Sequence, residues 1–168
     1  MLKKRYKRPE PQHKLREYLE TKKDYKYDLT DSIEIKSPDL TKLKNFNTVL
    51  SAERFYKITK FYNEDIASVI DFIFPDLKLP NKPKKNFGDE RSIIENILLP
   101  LPKYYTSLEE IAYLTDIDID RLKEILSKST VVISASELIL LEKVKKLKAG
   151  TLFKAVFGHI KIKRVKKI

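Results

Sequence analysis

Apolar positions recur at three- and four-residue spacing over several short stretches, which is the period of a helix face. The clearest stretch begins at Ser51, where Ala52-Glu53-Arg54 leads into Phe55, Ile58, Phe61 and Tyr62. Asn63 is placed to cap a second helix carrying Ile66, Val69, Ile70 and Ile73, which Pro75 ends. Upstream, residues 12–23 predict a short polar helix with Leu15, Tyr18 and Leu19 on one side. From Asp24 to Asn47 the pattern is irregular. Ser32-Ile33-Glu34-Ile35-Lys36 alternates like a short strand, and Ser37-Pro38-Asp39 reads as a turn or helix start. Aromatic stripes of this kind are read as core rather than as surfaces for stacking bases.

Beyond Pro75 the spacing lapses. Residues 76–88 contain Pro80, Pro83 and Gly88 with few apolar positions, so a linker between two subdomains is expected there. Asp89 to Leu99 then predicts a helix with Ile93, Ile94, Ile97 and Leu98 inward, closed by Pro100 and Pro102. Ser107 with Glu110 has the spacing of a capping box, and Asp118 can cap the helix that runs through Leu122, Ile125 and Leu126. Thr130-Val131-Val132-Ile133 is a β-branched run. Ser134 with Glu137 repeats the capping signal before a helix whose apolar side holds Leu138, Leu141, Val144 and Leu147. Gly150 reads as its C′ residue, and Thr151 to Phe157 as a further turn of helix stopped by Gly158. From His159 onward, Ile160 and Ile162 alternate with Lys161 and Lys163, which fits either a basic edge strand or an arm ordered on its target.

Residues 107–126, SLEEIAYLTDIDIDRLKEIL, resemble the helix-turn-helix family at its packing positions. Ile111-Ala112 match the apolar-plus-small pair of the first helix, Ile117 the apolar turn position, and Leu122 and Ile125 the second helix. The resemblance implies a tri-helical or winged-helix-like unit. Asp116 stands where the turn favours Gly, and it can adopt the left-handed conformation. The outward positions of the second helix are Asp118, Ile119, Asp120, Lys123 and Glu124, with Arg121 nearby. A helix entering the major groove normally presents Arg, Lys, Asn or Gln to base edges. This acidic face suits a protein-docking role better, with Ile119 exposed at its start.

Charge sharpens that division. The chain of 168 residues carries a net charge of +11, distributed as +6 over residues 1–26, −4 over 27–141 and +9 over 142–168. Two basic ends around a mildly acidic body are what polyphosphate binding uses, because Lys and Arg release condensed counterions. In the first arm the phosphate contacts are expected from Lys3, Lys4, Arg5, Lys7 and Arg8. In the second they are expected from Lys143, Lys145, Lys146, Lys148, Lys161, Lys163, Arg164, Lys166 and Lys167.

Composition excludes more than it suggests. With no Cys and two His, thiolate metal sites, disulfides and thiol nucleophiles are absent, and a multi-His site in one chain is not expected. Three well-separated glycines leave no phosphate-cradling loop. Glu34-x-Lys36 resembles the end of the PD-(D/E)xK nuclease pattern, but Asp28 and Asp31 lie too close upstream for its hairpin. The carboxylates at 116, 118 and 120 are explained by the dipole of the helix they precede. No catalytic residue, metal or cofactor is expected. Abundant Lys, Ile and Glu with little Cys, Met or Gln resembles thermophile usage, as does the output of an AT-rich genome.

The expected architecture is mostly α with minor β: a basic arm and short helix over 1–26, helical subdomains over 27–75 and 89–150 joined by 76–88, and a basic tail over 151–168. The expected function is that of a non-catalytic, intracellular, nucleic-acid-associated accessory protein. Its basic ends would hold DNA or RNA, and its middle would dock a protein partner in a larger assembly, away from any membrane. A DNA-binding regulator and a structural nucleoprotein, ribosomal or capsid, are the alternatives.

Overall fold

A computed structural model describes residues 10–83, 97–98 and 107–168. The helix expected over 89–99 lies outside the described residues, apart from Ile97 and Leu98, which are helical and exposed. The fold is mostly α with a small antiparallel sheet. In chain order the elements are α1 (Leu15–Glu20), β1 (Tyr27–Asp28), α2 (Leu29–Ile33), α3 (Ser37–Lys44), α4 (Ala52–Tyr62) and α5 (Ile66–Ile73). They continue with α6 (Leu108–Thr115), α7 (Ile119–Ser127), α8 (Ala135–Val144), α9 (Thr151–Phe157) and β2 (Val165–Lys166).

Helix α4 is the centre of the larger core. Its periodic side, Ala52, Phe55, Ile58 and Phe61, is fully buried, and α2, α5, α8 and α9 pack around it. The serine caps fall where the sequence places them. Ser51 accepts the Arg54 N–H at 3.2 Å, and Ser134 and Glu137 form a complete capping box. The N-termini of α4 and α8 lie side by side, because residues 50–52 and 133–135 bridge antiparallel. The Ala52 N–H donates to the Ile133 carbonyl at 2.8 Å and the Ala135 N–H to the Leu50 carbonyl at 2.9 Å.

Several local expectations are corrected. Residues 32–36 do not form a strand. Asp28 caps α2 instead, and a left-handed Glu34 (φ 57°) turns the chain so that Ile33 and Ile35 are both buried. Asn63 ends α4 in the left-handed conformation, and the cap of α5 is Asp65, which accepts the Ser68 N–H at 3.1 Å. The α6–α7 turn repeats this device. Asp116 is left-handed (φ 55°), and Asp118 accepts the N–H groups of Asp120 and Arg121. Two three-residue turns, 63–65 and 116–118, thus share a geometry that sequence identity does not reveal.

The largest correction concerns α8, expected to carry one apolar side as far as Leu147. It stops at Val144, and residues 135–140 are all buried. Ala135, Leu138 and Ile139 belong to the larger core. Leu140 is buried outside that cluster, as are Leu114, Ile117 and Leu122 of the α6–α7 unit, and α6 packs on both α7 and α8. One helix therefore serves both packing regions and has no apolar stripe to read. Leu147, expected inward, is exposed. Gly150, expected to end this helix, is left-handed (φ 90°) at the start of α9. From the expected linker, Leu77 packs on the core, and the Asn81 amide donates to the Tyr113 carbonyl at 2.6 Å. No described helix is long and apolar enough to cross a membrane.

At the start of α1, His13 is 4 % exposed, with its ring against Phe46 at 4.7 Å and Phe74 at 5.7 Å. Its Nδ1 faces the Leu15 N–H at 3.4 Å, and its Nε2 has no hydrogen-bond partner among the described residues. Burial lowers its pKa below the ordinary 6.5, and the nearby Glu17 carboxylate only partly opposes that. The unfolded chain therefore takes up the proton first. The stability held by neutral His13 is present above pH 6.5 and is lost as pH falls toward the lower folded value. Denaturant midpoints measured from about pH 7.5 to about pH 5.5 should decline in the wild type and stay nearly level in His13→Leu. Parallel declines would remove His13 as the cause.

Candidate nucleic-acid interface

The basic C-terminal tail meets the lysine-bearing stretch that ends at β1. β2 pairs antiparallel with β1, placing Lys166 opposite Tyr27 and Val165 opposite Asp28. The Lys167 N–H donates to the Lys26 carbonyl at 3.1 Å, its ammonium donates to the Lys23 carbonyl at 2.9 Å, and the Val165 N–H donates to the Ser32 hydroxyl at 2.8 Å. Of the tail only Val165–Lys166 is strand; residues 160–163, where the sequence alternates, form no regular element. Ile162 packs on the core, while Lys161, Lys163, Lys166 and Lys167 are exposed.

Arg164 has a different job. Its Nε donates to the Phe61 carbonyl at 3.0 Å and a terminal nitrogen to the Lys60 carbonyl at 3.1 Å. A cation on the last carbonyls of α4 complements the negative end of that helix. Its guanidinium is committed to anchoring the tail. Lys60 completes the strap by donating its ammonium to the Ile160 carbonyl.

The residues beside the tail are Lys22, Lys23 and Lys26, interleaved with Tyr25 and Tyr27. The sequence places the N-terminal contacts at Lys3, Lys4, Arg5, Lys7 and Arg8, which lie outside the described residues. The signal that points to this edge is the run KKDYKY over 22–27, basic and aromatic residues interleaved within a stretch whose period is irregular. Tyr25 meets Tyr27, Phe61 and Tyr62 edge-on, and its hydroxyl donates to the Phe61 carbonyl at 3.3 Å. Tyr18 donates to Glu64 at 3.2 Å, and Glu64 also pairs with Lys22. Burial raises the pKa of the Tyr18 hydroxyl and pushes that of Tyr62 up to about 12, so both are neutral at physiological pH.

Lys143, Lys145, Lys146 and Lys148 form a second basic set, exposed at the end of α8 and on the connection to α9. They precede Gly150, whereas the tail leaves from the other end of α9. Within this set, Lys146 is left-handed (φ 51°). Beneath it, buried Glu142 accepts the Gly150 N–H at 3.0 Å and the Leu152 N–H at 2.7 Å, satisfying the first turn of α9.

The acidic face of α7 is assembled largely as expected. Asp118, Asp120, Lys123 and Glu124 are exposed, and Ile119 is half-buried rather than exposed. Arg121 is turned inward. Its Nε and a terminal nitrogen each donate to Glu137 at 2.9 Å, and the same terminal nitrogen donates to the Val132 carbonyl at 2.8 Å. The bonds to Glu137 raise the Arg121 pKa. Burial pushes the Glu137 carboxyl up, but Arg121 and the Ser134 N–H outweigh it and hold the pKa low. Leu126 and Val132 add apolar area, at 65 % and 73 % exposure.

Asp31, Glu34 and Lys36 line an open concavity with Thr30, Ile35, Ser37 and Pro38. Asp28 is engaged elsewhere, accepting from the Thr30 hydroxyl at 2.6 Å and the Asp31 N–H at 3.0 Å, contacts that lower its pKa. Among the described residues no three His, Cys, Asp or Glu side chains are placed to hold a metal ion. His159 is exposed. No family model, curated protein or solved structure matches the chain.

Proposed function

We propose that the protein is a non-catalytic nucleic-acid-associated accessory protein that holds phosphates on the β1–β2 edge and docks a protein partner through α7. The observation that carries the reading is the antiparallel pairing of Tyr27–Asp28 with Val165–Lys166. It gathers lysines that lie about 140 residues apart in the sequence onto one edge, a concentration that favours a polyanion by releasing its counterions. In this reading the α6–α7 unit is a helix-turn-helix-like module used for docking rather than for base readout. With Arg121 bound to Glu137, its outer face is left to Asp118, Asp120, Lys123 and Glu124. That face suits a protein partner in a replication, transcription or ribonucleoprotein assembly better than base edges.

The test is the salt dependence of binding to duplex DNA, single-stranded DNA and RNA. Because the tail is packed into the fold, neutralising substitutions are cleaner than truncation. Lys161, Lys163 and Lys166 have no side-chain bond to another described residue, so Lys161→Gln, Lys163→Gln and Lys166→Gln together should leave stability nearly unchanged. The slope of log K against log salt should become shallower by about 2–3 units, since each phosphate no longer neutralised removes about 0.9 on a duplex and about 0.7 on a single strand. An unchanged slope would refute the phosphate grip.

A further inference from the structure

We propose that the face of the Tyr27 ring is a stacking platform for an unpaired base, flanked by a phosphate contact from Lys166, so that the strand held here is single. This rests on the nucleic-acid reading above and names the form of ligand.

Three lysine ammonium groups lie over tyrosine rings at this end of the molecule, and they are not equivalent. Lys22 covers Tyr18 and Tyr62 at 5.5 and 5.7 Å, but its ammonium is ion-paired with Glu64. Lys60 covers Tyr56 at 5.7 Å, but its ammonium bonds to the Ile160 carbonyl, and Phe157 already stands 6.0 Å from that ring. Lys26 covers Tyr27 at 5.1 Å, and its ammonium has no carboxylate or carbonyl partner among the described residues. Moving Lys26 aside therefore breaks only a cation–π contact, which an exposed site holds weakly. Tyr27 itself is fixed. Its backbone is in the ladder, and Tyr25 meets it at 62° and 5.7 Å, holding the ring from the side.

The surroundings suit a nucleotide. Directly opposed residues of an antiparallel pair present their side chains on the same face, so exposed Lys166 stands beside Tyr27. Lys167, next along the strand, falls on the other side and gives its ammonium to the Lys23 carbonyl. A displaced Lys26 remains within reach as a second cation. Asp28 opposes them, but its carboxylate is turned to the Asp31 N–H and the Thr30 hydroxyl of α2. Aromatic rings beside cations bind single strands because every unpaired base offers a face, whereas in a duplex those faces are already stacked.

The chain contains no Trp, so Tyr27→Trp introduces a single indole as the probe. Fluorescence would be followed while adding oligothymidylate, oligouridylate, or a duplex of equal length, with thermal unfolding confirming the fold. Both single strands should quench the indole, and the duplex should not. Tyr27→Leu should lose about 5- to 150-fold in single-strand affinity with duplex affinity unchanged, while Tyr27→Phe keeps the wild-type value. Binding without quenching, with Tyr27→Leu as tight as wild type, would overturn the platform and leave the phosphate grip standing. Equal quenching by the duplex would overturn single-strand selection. No binding of any nucleic acid by the wild type would overturn both this inference and the reading beneath it.

Discussion

Gly150→Ala is expected to lower stability by about 3–4 kcal/mol, the largest single effect at any site outside the aromatic core. Two costs combine. At φ 90° the backbone is in a region where a Cβ is strained. That Cβ would also collide with the γ-methyl of Ile66, a β-branched side chain only 4 % exposed at the start of α5, which has little room to yield. The joint cannot easily move away, because Glu142 holds the Gly150 and Leu152 N–H groups from beneath. For a chain of this size the thermal midpoint should fall by about 10 °C. Gly150→Ala melting within about 2 °C of wild type would show that the joint relaxes.

Breaking the Arg121–Glu137 pair should come next, at about 2–3 kcal/mol for Arg121→Leu. The cost arises from what remains. Glu137 is 8 % exposed and would keep its charge with only the α8 cap to bond it. Replacing both partners, Arg121→Leu with Glu137→Leu, removes the stranded charge. It should recover most of that loss, short of about 1 kcal/mol for the broken capping box. The pair also sets an acid limit. Glu137 has a folded pKa below 4.5, so its contribution is present above that value and is lost as pH falls through the folded one. The Arg121→Leu variant should therefore show a weaker acid-induced decline below about pH 4.5. A double variant no more stable than the single one would mean that the pair itself, not the stranded carboxylate, supplied the stability.

What the sequence reveals here is what is local. Ser51, Ser107, Asp118 and Ser134 each cap a helix at the residue expected, because a cap needs only the next three N–H groups. The inward run of α4 shows because its other positions are mostly charged or tyrosine and only half-buried. α8 conceals its role for the opposite reason: buried nearly all round, it has no period to detect. The candidate interface is half legible. The charge excess of the termini stands out in the composition, but the pairing of Tyr27 with Lys166 depends on contacts that no local pattern encodes. Arg164 illustrates the limit. As a residue type it belonged with the phosphate contacts, and only the position of the α4 carbonyls shows that it fastens the tail.

The central claim is that nucleic acid is held on the β1–β2 edge and not on α7. The most direct measurement is a map of backbone amide shifts in an isotope-labelled full-length chain titrated with a short oligothymidylate. Shifts should concentrate at residues 22–27 and 161–167 and leave 118–124 unmoved. Shifts centred on α7, with the paired strands silent, would contradict the account.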